Sequence, residues 1–183
     1  MIKKVNESEE AQYFDEQEAA YFATATKNAR EVLEPKKVYK KVPVTFKLKA
    51  KPKEDGLARC LCLEFKIGDT SCIWYENLPK APFKDAPKED KETYVSNLRY
   101  CNIFLTSLWQ QNKGILGSYT KFLDDYKAAN PSTTFFESVD AILKQLNGLK
   151  YSFCKVQDTY RPEYNNKPNW KLVVDPEDLK KEC

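Results

Sequence analysis

A set of residues in this 183-residue chain has the types that would suit binding of a single-stranded polyanion: Lys47 and Lys49, Trp74, and the close group Tyr160, Arg161, Tyr164 and Lys167. Aromatic rings stack on unpaired bases, each stacked base contributing roughly 1–3 kcal/mol without sequence readout, while cations follow the phosphates. Trp74 and Tyr75 are adjacent on a strand pattern, so they point to opposite faces and only one of them can meet a ligand. The other is core. The groove expected from these types is built from Lys47, Lys49, Trp74, Tyr160, Arg161, Tyr164 and Lys167.

Catalysis finds little to work with. The chain has no histidine, the commonest general base and the usual partner of a serine or cysteine nucleophile. Neither G-x-x-x-x-G-K nor G-x-G-x-x-G occurs. The carboxylates are scattered at turns; Asp124-Asp125 reads as a solvated helix flank, and Glu64 with Asp158 is a metal pair only in principle. No catalytic residue, metal ligand or cofactor site is expected, and the chain reads as a binding protein, not an enzyme.

The lysines lie in the clearest strand of the sequence. From Val42 the even positions Val42, Val44, Phe46, Leu48 and Ala50 are apolar, while Lys41, Lys47, Lys49 and Lys51 fall on the odd side. Between Pro35 and Lys53 there are eight lysines and no carboxylate. Such a face suits a polyanion, and equally an edge strand that charge protects from unwanted pairing. Asp55-Gly56 signals a hairpin turn. A second strand, Ala58–Ile67, sets Leu61, Leu63, Phe65 and Ile67 against Cys60, Cys62, Glu64 and Lys66, and a third covers Thr70–Glu76.

Helical spacing then takes over. Leu98, Cys101, Leu105, Leu108 and Trp109 form one stripe over Tyr94–Asn112, which places Trp109 in a core. A second helix covers Ser118–Ala129. Thr134 and Glu137 form a capping box for a third, which carries Val139, Ile142, Leu143 and Leu146. Strands resume with Tyr151–Val156 and Trp170–Val174, where Trp170 alternates with Leu172 and Val174 as a core residue would. Between them lies a polar finger, Gln157–Asn169, with both exposed-type tyrosines. Ahead of everything, residues 1–34 start acidic and predict short helical turns around Ala19, Tyr21, Phe22 and Ala25.

Composition sets the class. Mean hydropathy of −0.68 and 31% charged residues suit a chain without membrane spans. The N-terminus leads into acidic residues with no apolar signal core, so a cytoplasmic, reducing setting is expected. The six cysteines fall largely inside apolar patterns and are expected to be free, buried thiols. Cys60-Leu61-Cys62 lacks the spacing of a zinc knuckle.

The stretches Leu61-Cys62-Leu63-Glu64-Phe65-Lys66-Ile67, Ile73-Trp74-Tyr75-Glu76-Asn77-Leu78 and Leu146-Asn147-Gly148-Leu149-Lys150 resemble the small OB-fold single-stranded-DNA-binding proteins of tailed bacteriophages. The likeness spans about Val38–Val174. The helical block is longer here, and the family's acidic tail is diluted, Asp175-Pro176-Glu177-Asp178 being followed by Lys180 and Lys181. The resemblance, with the order of elements, implies a mostly β chain with inserted helices (α+β): a five-stranded OB-like barrel with a helical block between strands 3 and 4. The expected organisation is an acidic segment at 1–34, an OB-like domain at 35–174 with its helical insertion at 91–148, and a short tail at 175–183. The expected function is sequence-independent single-stranded DNA binding in phage replication or recombination, with RNA as an alternative strand and replication or host proteins as further partners. The rival is a phage-encoded protein-binding inhibitor of a host nucleoprotein complex, such as a counter-defence factor. A small nuclease or nucleotide-modifying enzyme is a weaker third.

Overall fold

The computed structural model describes residues 16–50, 59–79 and 84–183, with the side chains of Ala50 and Arg59 left aside. The Asp55-Gly56 turn, Lys51, Lys53, the start of the second predicted strand at Ala58 and the acidic residues before Glu16 lie outside these. The chain opens with α1 (Glu16–Val32), then β1 (Val38–Pro43), β2 (Thr45–Ala50), β3 (Arg59–Ile67) and β4 (Thr70–Asn77). Helices α2 (Lys88–Gln111), α3 (Lys113–Leu116), α4 (Tyr119–Ala129) and α5 (Phe135–Leu146) follow. Then come β5 (Lys150–Gln157), β6 (Glu163–Tyr164), β7 (Lys167–Pro168), β8 (Trp170–Val173) and α6 (Pro176–Glu182).

The five-stranded barrel does not form. Among the described residues eight strands make three small sheets, ordered β1-β5-β8, β2-β3-β4 and β6-β7, and none closes on itself. The reason lies in the strand that alternation presented as continuous. It is two strands, parted at Val44: β1 pairs antiparallel with β5, and β2 pairs antiparallel with β3. Lys41 takes a φ of 50° where the β1–β5 register shifts, a bulge that bends the strand. Pro43 has no N–H to offer a ladder. The even positions still turn inward, Val44 and Phe46 being buried.

Two carboxamides take up backbone groups of the two larger sheets, at Phe46 just past the break and at Ser152 opposite the β1 bulge. Phe46 N–H donates to Asn147 Oδ1 (2.6 Å), and Asn147 Nδ2 returns a bond to the Phe46 carbonyl (3.3 Å). Gln111, at the end of α2, accepts from Ser152 N–H (2.7 Å) and donates to the carbonyls of Ser152 (2.8 Å) and Val174 (2.6 Å). Each amide imitates a strand edge, so the helical block is stitched to both larger sheets.

One core joins these layers. Phe46, Leu63 and Phe65 meet Leu105, Leu108 and Trp109 of α2, Ile142 and Leu146 of α5, and Tyr151 and Phe153 of β5. The Phe65 and Phe153 rings, 4.7 Å apart, bridge the two sheets, as do Phe46 and Tyr151 at 5.1 Å. The α2 stripe is buried at Cys101, Leu105, Leu108 and Trp109. The capping box forms, with Thr134 Oγ1 accepting from Glu137 N–H and the Glu137 carboxylate accepting from Thr134 N–H. Among the described residues, no helix is long and apolar enough to cross a membrane.

Two elements depart from expectation. The N-terminal turns are a single 17-residue helix, α1, which buries Phe22, Ala25 and Ala29. The tail is a helix as well, α6, whose Leu179 packs on Cys154, Val156 and Val173 on the outer face of β5 and β8. Cys183 at its end is disulfide-bonded to Cys154, so not all six cysteines are free. Cys60, Cys62, Cys72 and Cys101 are free and buried.

Thiol titration of the denatured, unreduced protein should therefore count four groups; six would show that the tail is not covalently held. Gln111→Ala removes three hydrogen bonds to half-buried backbone, and should cost about 2–4 kcal/mol in denaturant unfolding. A cost below about 1 kcal/mol would remove the stitching role.

Candidate nucleic-acid interface

The residues expected to form one groove are distributed over three environments. Lys47 and Lys49 do share a face of β2, but α1 lies on it. Lys47 Nζ is 2.8 Å from Glu64, and Lys49 Nζ is 3.2 Å from Glu18 of α1. Glu64 also accepts from the Tyr21 hydroxyl (2.8 Å). Burial alone would push the Glu64 carboxyl up, but the bonds from Lys47 and Tyr21 outweigh it and hold it below its usual range. Glu64 is thus an ion-pair partner. Beneath α1, Phe22 and Ala25 close over Cys60, Cys62 and Ile73. The bond between the Cys60 and Cys62 thiols and their burial push the Cys62 thiol up, so it stays neutral.

Trp74 is in the main core, 7% exposed, with its indole Nε1 donating to Glu76 Oε1 (3.1 Å). Its largely buried ring also lines the cleft at the foot of the finger. Tyr75, on the other side of β4, packs at 5.3 Å on Phe22 and receives a bond from Arg30 on its hydroxyl (3.4 Å).

Tyr160, Arg161, Tyr164 and Lys167 are the four that the fold brings together. They sit on the finger, which is not a loose loop. Glu163 pairs with Pro168 and Tyr164 with Lys167, leaving Asn165-Asn166 as a two-residue turn. Both asparagines have positive φ, 50° and 59°, the backbone that tight hairpins of the I′ kind require and that asparagine tolerates. At the foot, Asp158 Oδ1 accepts from the N–H groups of Tyr160 (2.9 Å) and Arg161 (3.3 Å). Asp158 N–H donates to the Asn169 carbonyl, Asn169 N–H to the Pro162 carbonyl (both 2.8 Å), and Gln157 Nε2 to Pro162 (2.8 Å). Every one of these bonds is made by backbone or by Asp, Asn or Gln. Neither tyrosine ring takes part, and they stand 96% (Tyr160) and 72% (Tyr164) exposed.

A cleft of about 350 Å³ opens at the foot of the finger, between β4, α2 and the start of β8. Glu76, Asp158, Arg30 and Lys171 line it together with the rings of Trp74, Tyr75, Tyr100 and Trp170. Trp170, expected in the core, packs against it half-buried, and the Lys155 ammonium lies 4.7 Å from its ring. Lys155 is itself buried and donates to the Arg30 carbonyl (2.6 Å), where a cation suits the end of α1. Burial lowers its pKa.

Glu76 is the most perturbed carboxyl of the cleft. Burial pushes it up to about 7, the Trp74 bond opposes this, and the charge of Asp158 adds to it. Burial and then the Glu76 charge push the Tyr100 hydroxyl and the Cys101 thiol up as well, Cys101 to about 12. Glu76, Tyr100 and Arg30 were not singled out by sequence. The only hint is that Trp74 and Glu76, two apart on a strand, share a face. Among the described residues no group of three or more histidine, cysteine, aspartate or glutamate side chains is placed to hold a metal.

The Glu76 shift gives a signed prediction. The folded state holds this proton more tightly than the unfolded chain, whose carboxyl titrates near 4.5. Stability is therefore lost as pH rises from about 4.5 to about 7, and then levels. Glu76→Gln keeps the acceptor for Trp74 and removes that slope. Its gain over wild type should be absent at pH 4 and reach the order of 2 kcal/mol at pH 8, read by denaturant unfolding. Equal effects at both pH values would place the Glu76 carboxyl in water.

No protein-family model matches the chain, and neither a curated protein nor a solved structure matches it.

Proposed function

We propose that this protein binds single-stranded nucleic acid through its finger, whose rings read no sequence, and performs no reaction on it. One observation carries the reading: Tyr160 and Tyr164 stand in water on a hairpin whose own bonding uses neither ring. Two exposed rings on one hairpin contribute nothing to the core and are open to a partner. Arg161 and Lys167 on the same hairpin supply cations for phosphate. A role in phage replication or recombination rests on the resemblance of short strand motifs alone, since the barrel of that family is not the fold here. The groove is narrower than the sequence implies, because Lys47 and Lys49 are engaged by Glu64 and Glu18.

A second reading has its own observation. Val95 and Ile103 of α2 are 52% and 58% exposed beside an open groove, a surface suited to a protein partner. An inhibitor of a host nucleoprotein would use that surface and ignore free oligonucleotide.

Tyr160→Ala and Tyr164→Ala should each weaken binding of an unstructured oligonucleotide at fixed salt about tenfold, with less than about 1 kcal/mol lost from stability. Replacing Arg161 and Lys167 together with alanine should flatten the log–log salt dependence by about 1–1.5 units, and the same change at Lys47 and Lys49 should flatten it less. Wild-type affinity with early unfolding would make the finger structural, and an absence of oligonucleotide binding would favour the protein-binding module.

A further inference from the structure

We propose that the cleft at the foot of the finger receives one nucleobase unstacked from the strand that the finger holds, and that it favours a base bearing an exocyclic amine over thymine. The inference rests on the single-strand reading above and adds a specificity that the finger alone does not have.

Size and walls come first. About 350 Å³ lies within the range of small-ligand clefts, roughly 300–1,000 Å³. Its rings belong to three separate elements: Tyr75 on β4, Tyr100 on α2 and Trp170 on β8. Every base has a π-face that such rings accept. Tyr100 is half exposed, and its hydroxyl makes no hydrogen bond among the described residues.

The polar groups then decide which part of a nucleotide enters. Two carboxyls, Glu76 and Asp158, lie inside the cleft and would repel a phosphate. The cations Arg30 and Lys171 lie with them, Arg30 exposed and Lys171 only 3.7 Å from the helix-borne Glu182. Arg30, exposed and held to the Tyr75 hydroxyl (3.4 Å), is the cation that suits a phosphate, Lys171 being paired with Glu182, and the base fits beside the carboxyls. Carboxylate oxygens accept from the amines of cytosine and its relatives. Thymine offers two carbonyls for a single N–H, so a carboxyl-rich cleft suits it less.

Position links cleft and finger. Asp158 and Asn169 line the cleft and also tie the two legs of the hairpin, through Asp158 N–H to the Asn169 carbonyl (2.8 Å). Tyr160 and Arg161 are fixed to Asp158 by their own N–H groups. Tyr160 thus stands two residues along the chain from Asp158, so a strand laid along its ring lies next to the cleft.

The test compares fluorescence anisotropy of labelled oligo-dC and oligo-dT of equal length at pH 7.5 and fixed salt, on the full chain. Wild type should bind dC at least about fivefold more tightly. Tyr100→Leu, at a half-exposed helix position, and Glu76→Leu should each bring the ratio toward one, with melting curves recorded for both. The Tyr160→Ala, Tyr164→Ala double variant should weaken both oligonucleotides together and keep the ratio. Equal wild-type affinities for dC and dT, or a ratio that folded Tyr100→Leu preserves, would overturn the pocket and leave the finger reading intact. No binding of either oligonucleotide would overturn both.

Discussion

The architecture depends on how backbone hydrogen bonds are satisfied where β1 and β2 part. A strand that leaves one sheet for another abandons donors and acceptors, and an unmet buried group costs about 1–3 kcal/mol. Asn147 meets Phe46 just past the break, and Gln111 meets Ser152 of β5, opposite the β1 bulge, and Val174 beyond β8. Both amides come from helix ends, Gln111 closing α2 and Asn147 following α5. The helical block therefore does more than cover a core. It fixes where each larger sheet begins, and β4 and β8 are left on either side of the cleft instead of joined.

Magnitudes explain why the lysine face belongs to the protein itself. The pairs Lys47–Glu64 and Lys49–Glu18 are partly exposed, and such pairs contribute about 0–1 kcal/mol each. Burial of one large apolar side chain contributes about 1.5–3 kcal/mol. Helix α1 buries Phe22 over Cys60, Cys62 and Ile73, while Ala29 and the following Leu33 enter the main core. Apolar contact, not charge, holds α1 in place. A polyanion competing for Lys49 would meet that packing and one competing for Lys47 would have to displace Glu64, whereas at the finger it meets rings already in water.

What was legible in the sequence is what local rules govern. Alternation gave β2, β3 and β4 their faces, the three-and-four spacing gave α2 its buried stripe, and Thr134 with Glu137 announced α5. The corner at Val44 was not legible, because apolar alternation runs through it unbroken while partners change. The small residues and threonines of α1 hid a helix whose stability comes from packing on β4. Nothing local pairs Cys154 with Cys183, which α6 brings together. The finger's Asn165-Asn166 turn did carry a signal, since asparagine tolerates positive φ. Within the site, exposure of Tyr160 and Tyr164 followed from a polar stretch without period. The burial of Glu76 is tertiary: its neighbours arrive from α2 and from the foot of the finger.

The central claim is that nucleic acid meets the finger and its cleft, not the lysine face of β2. Backbone amide NMR shifts on titration with an unstructured oligonucleotide test it most directly. The account predicts large changes across Asp158–Asn169 and at Glu76 and Tyr100, with β2 around Lys47 and Lys49 nearly silent. Changes centred on β2 and α1, with the finger unmoved, would contradict it.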